Sequence, residues 1–173
     1  LLHTAHFLGT KGLPQQQLHL LDEALEQAKT MEDYLTEIQI LERKRALLPK
    51  LNGTDIKLNK MERQIAQAEA KRKKLSQLKS LEAELREMAA ISGRNLQKAK
   101  RLRLKAIEQH PILVRAPQGF AMQLLFHGVK SRLYWLLGLH QNVLKHQAAI
   151  SQLLQIRYRS GSLPYAALQE HLS

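Results

Sequence analysis

The fold is decided by one long stretch that contains no Gly or Pro, residues 56–91, which reads IKLNKMERQIAQAEAKRKKLSQLKSLEAELREMAAI. Apolar residues recur in this stretch mainly at steps of three and four, the period of one face of an α-helix. They form a stripe of nine residues: Leu58, Met61, Ile65, Ala68, Leu75, Leu78, Leu81, Leu85 and Met88. The pattern predicts a helix of about 35 residues and about 50 Å that buries one of its faces.

The preceding stretch, residues 14–48, has the same period and a similar length. Pro14 suits the first turn of a helix, and Pro49 ends the helical pattern. Because the connection around Asn52 and Gly53 is short, two such helices are expected to be antiparallel neighbours. We therefore predict an antiparallel, coiled-coil-like helical hairpin over residues 14–91, after an irregular N-terminal lead-in at residues 1–13. Each apolar stripe facing another domain or chain remains an alternative.

The remainder of the chain predicts a smaller, basic helical region. Residues 92–119 comprise a basic helix at 94–109 and a linker in which residues 112–114 form either a strand or extended chain. The apolar side of that helix is predicted to consist of Leu96, Ala99, Leu102 and Ala106. Residues 120–173 form a C-terminal helical region, with helices at 120–126 and 129–158 joined at Gly128 and a last helix at 164–172. The predicted fold class is all-α.

Composition limits the kinds of function that we expect. The chain has no Cys, so it has neither disulfides nor thiolate metal sites. Its apolar runs are shorter than the about 18 residues that cross a bilayer, so no transmembrane segment is expected. Its eight His residues lack metal-ligand spacing, and nucleophile-elbow, phosphate-loop and dinucleotide motifs are absent. We expect a non-enzymatic protein without metal, cofactor or small-molecule substrate, in an intracellular location that could be cytoplasmic, nucleoid or organellar.

The formal net charge of +12 is unevenly distributed along the chain. Residues 1–93 contain fifteen Lys and Arg against thirteen Asp and Glu, whereas residues 94–173 contain twelve against two. Such asymmetry is typical of proteins whose basic half contacts nucleic acid or an anionic membrane.

The charge is most concentrated on one predicted helix face. Arg94, Lys98, Arg101 and Lys105 follow the spacing i, i+4, i+7 and i+11, and Lys100 and Arg103 flank them. Because like charges on one face repel, the pattern favours a polyanionic partner that compensates them. The alternative is a solvated face that only keeps the protein soluble. The C-terminal region adds five supporting cations to the predicted nucleic-acid-binding set: Arg115, Lys130, Arg132, Arg157 and Arg159.

Three aromatic residues lie among these cations, Tyr134, Trp135 and Tyr158. Aromatic rings beside cations can stack on nucleic-acid bases. Tyr134 and Trp135 also adjoin Leu133, Leu136 and Leu137, a spacing that equally fits core packing.

Together these patterns favour a basic helical accessory protein that binds nucleic acid, either DNA or RNA, through phosphate contacts. In that interpretation the hairpin serves protein–protein contact or self-association. The alternative is a coiled-coil adaptor or structural subunit of a protein assembly, such as a secretion or membrane-associated complex, with an acidic partner.

Two short segments resemble motifs of known families. Residues 112–120, I-L-V-R-A-P-Q-G-F, are similar to the segment at which periplasmic adaptor proteins of the membrane-fusion type return to a lipoyl-like domain, with Gln118 where those proteins have an acid. Residues 155–166, which include R-Y-R-S-G-S, resemble a motif of outer-membrane efflux channels. Predicted helix stands here in place of the β-rich segments that surround both motifs in those families, so no residue role is carried over.

Overall fold

A computed structural model describes residues 2–51, 55–90 and 97–159, and in these ranges the chain is helical without strands. The predicted all-α class is confirmed. The α-helices are α1 (Leu2–Thr10), α2 (Pro14–Thr30), α3 (Tyr34–Leu47), α4 (Asp55–Ala90), α5 (Gln97–Glu108), α6 (Phe120–Leu137) and α7 (His140–Arg159). Two short 3₁₀ helices lie at Leu48–Leu51 and Pro111–Leu113.

The chain forms two compact units, Leu1–Lys74 and Leu75–Ser173. The division falls inside α4, so this one helix contributes to both units. The boundary between the two compact units therefore does not coincide with the end of a helix. The boundaries suggested by the sequence, after residues 13, 91 and 119, stay predictions.

In the first unit, the N-terminal residues are part of the folded structure. The irregular lead-in that we predicted for residues 1–13 is wrong, because Leu2–Thr10 forms helix α1. Ala5 is buried in the core that α2 and α3 form, and its small side chain allows α1 to approach α2 closely. Gly12, with φ +70°, follows the end of α1, and the Leu13 N–H donates to the Leu8 carbonyl at 3.1 Å.

The predicted continuous helix over residues 14–48 is also wrong, because it consists of two helices, α2 and α3. Between them Glu32 adopts φ +54°, a left-handed conformation that ends a helix. The Asp33 N–H then donates to the Ala28 carbonyl at 2.9 Å, and the Glu32 N–H to that of Lys29 at 3.1 Å. The break allows α2 and α3 to pack on each other, and Ile65 and Ala68 of α4 complete their core.

Asp33 caps α3, and its removal is expected to destabilise the first unit. Its carboxylate accepts hydrogen bonds from the Thr36 N–H at 3.1 Å and the Thr36 hydroxyl at 2.6 Å, and these bonds lower the pKa of Asp33. Loss of such a cap costs about 1 kcal/mol. We expect Asp33→Ala to lower the free energy of unfolding by that amount in urea titrations followed by circular dichroism. Asp33→Asn should retain most of the stability, because asparagine also caps helices. If Asp33→Asn were as unstable as Asp33→Ala, the capping role would be contradicted.

The second unit is built on one apolar core. Helices α4, α5 and α6 and the Pro111–Leu113 3₁₀ helix contribute to it, and its nine buried residues are Leu78, Leu81, Leu85, Leu104, Ile107, Leu113, Phe126, Val129 and Leu133. Helices α6 and α7 form the most extensive helix–helix contact of the described residues. The short connection between them makes them antiparallel neighbours.

The predicted join at Gly128 is wrong, because Gly128 lies inside α6. The helix ends instead at Leu137, where Gly138 has φ +75°. The Leu139 N–H donates to the Tyr134 carbonyl at 2.8 Å and completes the cap. Both glycines permit this turn, and sequence spacing alone does not distinguish them.

The prediction that residues 112–114 form a strand or extended chain is wrong, because Pro111–Leu113 is a 3₁₀ helix and Val114, which follows it, is also in a helical conformation. The His110 side chain caps it by accepting a hydrogen bond from the Ile112 N–H at 3.3 Å. The short helix buries Leu113 in the core. The predicted helix at residues 164–172 and the predicted start of the basic helix at Arg94 lie outside the described residues.

Candidate nucleic-acid interface

Helix α5 is oriented by Leu104 and Ile107, which are three residues apart and buried in the core of the second unit. The apolar side predicted from the sequence is wrong, because Leu102 is 64% exposed and Ala99 and Ala106 are also exposed. Leu96, the fourth residue of that set, lies outside the described residues. The half-buried Lys100 lies one turn before Leu104 and extends the buried side, as the aliphatic part of a lysine can.

With α5 held in this way, Lys98, Arg101 and Lys105 are exposed on one face of the helix, which we call the α5 face. Among the residues that the structure describes, no carboxylate forms an ion pair with any of the three. Glu108 is the only acid in residues 97–159, against eleven Lys and Arg. Within the described part of the chain, the α5 face therefore presents positive charge to solvent without a paired carboxylate.

Two cations predicted to flank this face have other surroundings. The Arg103 Nε donates to a Glu84 carboxylate oxygen on α4, and this hydrogen bond, together with the charge of Glu84, raises the pKa of Arg103. Lys100 is half-buried on the side that faces the core. The predicted cluster is thus divided into an exposed face and residues that contact α4 and the core.

Four of the five supporting cations fall into two groups, and the fifth, Arg132, lies 3.7 Å from Glu82. Arg115 and Arg159 are exposed. The Arg157 guanidinium lies 5.2 Å from the centre of the Phe120 ring, and the Lys130 ammonium lies 5.4 Å from that of Phe126. The Arg157 contact joins α7 to α6 through a cation–π interaction, whereas the Lys130 contact lies within α6. Burial lowers the pKa of Lys130.

A pair of histidines at the α6–α7 contact was missed by sequence reasoning. The Nδ1 atoms of His127 and His146 lie 2.8 Å apart, and the Tyr134 ring stacks on His146 at 5.5 Å between ring centres. Burial lowers the pKa of both histidines, that of His146 to about 4, and the nearby charge of Lys130 acts in the same direction. Nothing in the sequence signals this pair, since its members lie nineteen residues apart on different helices.

The histidine pair predicts that the second unit loses stability in mild acid. Both histidines remain neutral in the folded state below their ordinary pKa of 6.5, whereas in the unfolded chain they bind protons there. Their contribution is therefore complete above about pH 6.5 and is lost as the pH falls through the lowered pKa of each histidine, which for His146 is about 4. We expect the urea midpoint, followed by tryptophan fluorescence, to fall over this range. A His127→Gln/His146→Gln variant should show a smaller fall, and an equal fall would contradict the role of the pair.

Trp135 lies in a groove between α6 and α7 with a volume of about 530 Å³. Its side chain is 58% exposed, whereas the neighbouring Tyr134 is half-buried against His146. Arg132 lines the same groove and lies 3.7 Å from Glu82. The interpretation as a packing residue therefore applies to Tyr134, which lies between the helices. Trp135 and Tyr158 are instead accessible to solvent.

Comparisons with protein-family models, curated proteins and solved structures gave no match for this chain. Within the described ranges, none of the helices combines the length and the apolar content needed to span a membrane. The same part of the chain holds no group of three or more His, Asp or Glu side chains that could bind a metal ion.

Proposed function

We propose that this chain is a non-enzymatic helical protein that binds nucleic acid through phosphate contacts of its second unit. The observation that carries the proposal is the α5 face, where Lys98, Arg101 and Lys105 are exposed and form no ion pair with a described carboxylate. Phosphates neutralise such a face and release condensed counterions, which favours binding. Contacts of this kind position a protein on the backbone without reading sequence, so both DNA and RNA are candidate partners.

The first unit is proposed to serve contact with protein. Met31, which directly follows α2, is 77% exposed, and Leu35, in the first turn of α3, is 51% exposed. Exposed apolar side chains that lie close together can contribute to a protein-binding surface. The same observation favours the second candidate function, an adaptor in a protein assembly whose acidic partner contacts the α5 face.

A fluorescence-anisotropy titration tests the proposal. The full chain is titrated into labelled single-stranded DNA, duplex DNA and RNA over a series of salt concentrations. We expect micromolar or tighter binding at physiological salt, with an affinity that falls steeply as salt rises. Binding no tighter than the about 10⁻⁴ M of non-specific association would contradict the proposal. Pull-down with the intact chain and with a Met31→Asp/Leu35→Asp variant then tests the adaptor function.

A further inference from the structure

The groove between α6 and α7 has features that phosphate binding alone does not require. Trp135 presents most of its indole to solvent there, although aromatic side chains of this size usually bury most of their surface. Exposed aromatic rings next to cations are the platforms on which proteins stack nucleic-acid bases. Arg132 is the cation in this groove.

The walls of the groove offer hydrogen-bonding groups around the indole. Ser131, Gln147 and Ser151 line it and can both donate and accept hydrogen bonds. Among the described residues, the Nη1 atom of Arg132 is buried without a hydrogen-bond partner, and it lies at ion-pair distance, 3.7 Å, from Glu82. This atom faces Glu82, and the Arg132 side chain as a whole is 37% exposed, so a ligand in the groove would meet its exposed part.

Gly128 leaves space on the α6 side of the groove. A Cβ atom placed on Gly128 would meet nothing within 4 Å, so no side chain occupies that position. The groove volume of about 530 Å³ lies in the range of sites for small organic groups. A planar, polar-edged group the size of a nucleobase is compatible with this space, and the adjoining guanidinium suits its phosphate.

We propose that the groove binds an unpaired nucleobase stacked on Trp135, and that single-stranded nucleic acid is therefore the preferred partner. The inference rests on the proposed function and deepens it by naming the strandedness of the ligand. Bases of a duplex are already paired and stacked, so they reach such a groove only after unpairing. A duplex would still bind the α5 face through its phosphates.

The chain supplies its own probe, because Trp135 is its only tryptophan. Stacking of a base on the indole should quench its fluorescence, whereas a polyanion without bases should not. We would titrate the full chain with oligothymidylate, oligouridylate, a DNA duplex and heparin. We expect quenching by the single strands alone, and heparin should bind without quenching.

Variants at Gly128 separate blocking of the groove from unfolding. Gly128→Met should fill the groove, and Gly128→Ala is its matched control, since alanine leaves most of the space open. Both should raise the melting temperature, because glycine inside a helix is unfavourable. We expect Gly128→Met to abolish quenching and to weaken single-strand binding by about 5- to 100-fold. Gly128→Ala should bind like the original chain, and Trp135→Ala should lose single-strand binding to the same extent as Gly128→Met.

The outcomes distinguish the two proposals. If single strands, duplex and heparin bind equally without quenching, the groove inference is overturned and phosphate binding by the α5 face stands. If quenching persists in Gly128→Met, the base does not occupy this groove, and the inference is again overturned. If no nucleic acid binds, the proposed function fails together with the inference.

Discussion

Reversing the charge of the α5 face, Lys98→Glu/Arg101→Glu/Lys105→Glu, should weaken binding to duplex DNA by about 100-fold or more at about 0.15 M salt. The estimate follows from counterion release, in which each phosphate contact contributes about 0.9 to the slope of log affinity against log salt. Three lost contacts should therefore reduce that slope by about 2 to 3. The three side chains are exposed and unpaired with any described acid, so the fold should be unaffected. Anisotropy titrations at several salt concentrations measure both quantities.

A matched control distinguishes the α5 face from net charge. Arg72, Lys73 and Lys74 are exposed on α4, and their reversal to Glu changes the net charge of the chain by the same amount. Three consecutive helical residues point in different directions, so they do not form one phosphate-binding face. We expect a small, uniform weakening from this variant. An equal loss in the two variants would show that binding depends only on overall charge.

The second large effect concerns the core of the second unit. Leu133 is 0% exposed on α6, and it belongs to the apolar cluster that α4 and α5 also form. Truncation of a fully buried leucine removes apolar contacts and leaves a cavity, at a cost of about 2–5 kcal/mol. We expect Leu133→Ala to lower the free energy of unfolding by that amount, with Trp135 fluorescence on the same helix as the readout. The variant should also lose nucleic-acid binding near its lowered melting temperature.

Leu144 provides the comparison within the α6–α7 pair. This leucine lies on α7 and is 65% exposed, so its truncation removes few contacts. Leu144→Ala should change the free energy of unfolding by less than about 0.5 kcal/mol. A loss as large as that of Leu133→Ala would mean that the exposed side of α7 is packed against something in solution.

Much of the helical content followed from apolar periodicity, which burial of one helix face imposes on the sequence. The stripe that includes Ile65, Leu78 and Leu85 predicted α4 almost to its ends, because neither Gly nor Pro interrupts it. The break between α2 and α3 could not be predicted in the same way. It depends on Glu32 in a left-handed conformation, which residues other than glycine adopt only when tertiary packing compensates the strain.

The positive charge of the candidate site could be predicted from the sequence, but the arrangement of its residues could be predicted only in part. The spacing of Lys98, Arg101 and Lys105 placed them on one face, and the structure has them exposed together. Periodicity could not show which side of α5 is buried, since the alternative stripe through Leu102 is equally regular. The pairing of Arg103 with Glu84 depends on the packing of α5 on α4, and no local pattern encodes that contact.

Because α4 is shared by the two units, the chain cannot be dissected at the point where the helix ends. A fragment that begins after residue 90 would retain α5, α6 and α7 but would lack Leu78, Leu81 and Leu85, three of the nine residues of their core. Its uncovered apolar surface would promote aggregation, and a failure to bind nucleic acid would then reveal nothing about the α5 face. A fragment that begins at Leu75 keeps the last four turns of α4 and with them the complete core. Truncation is thus expected to be tolerated in the middle of a helix and harmful at its end.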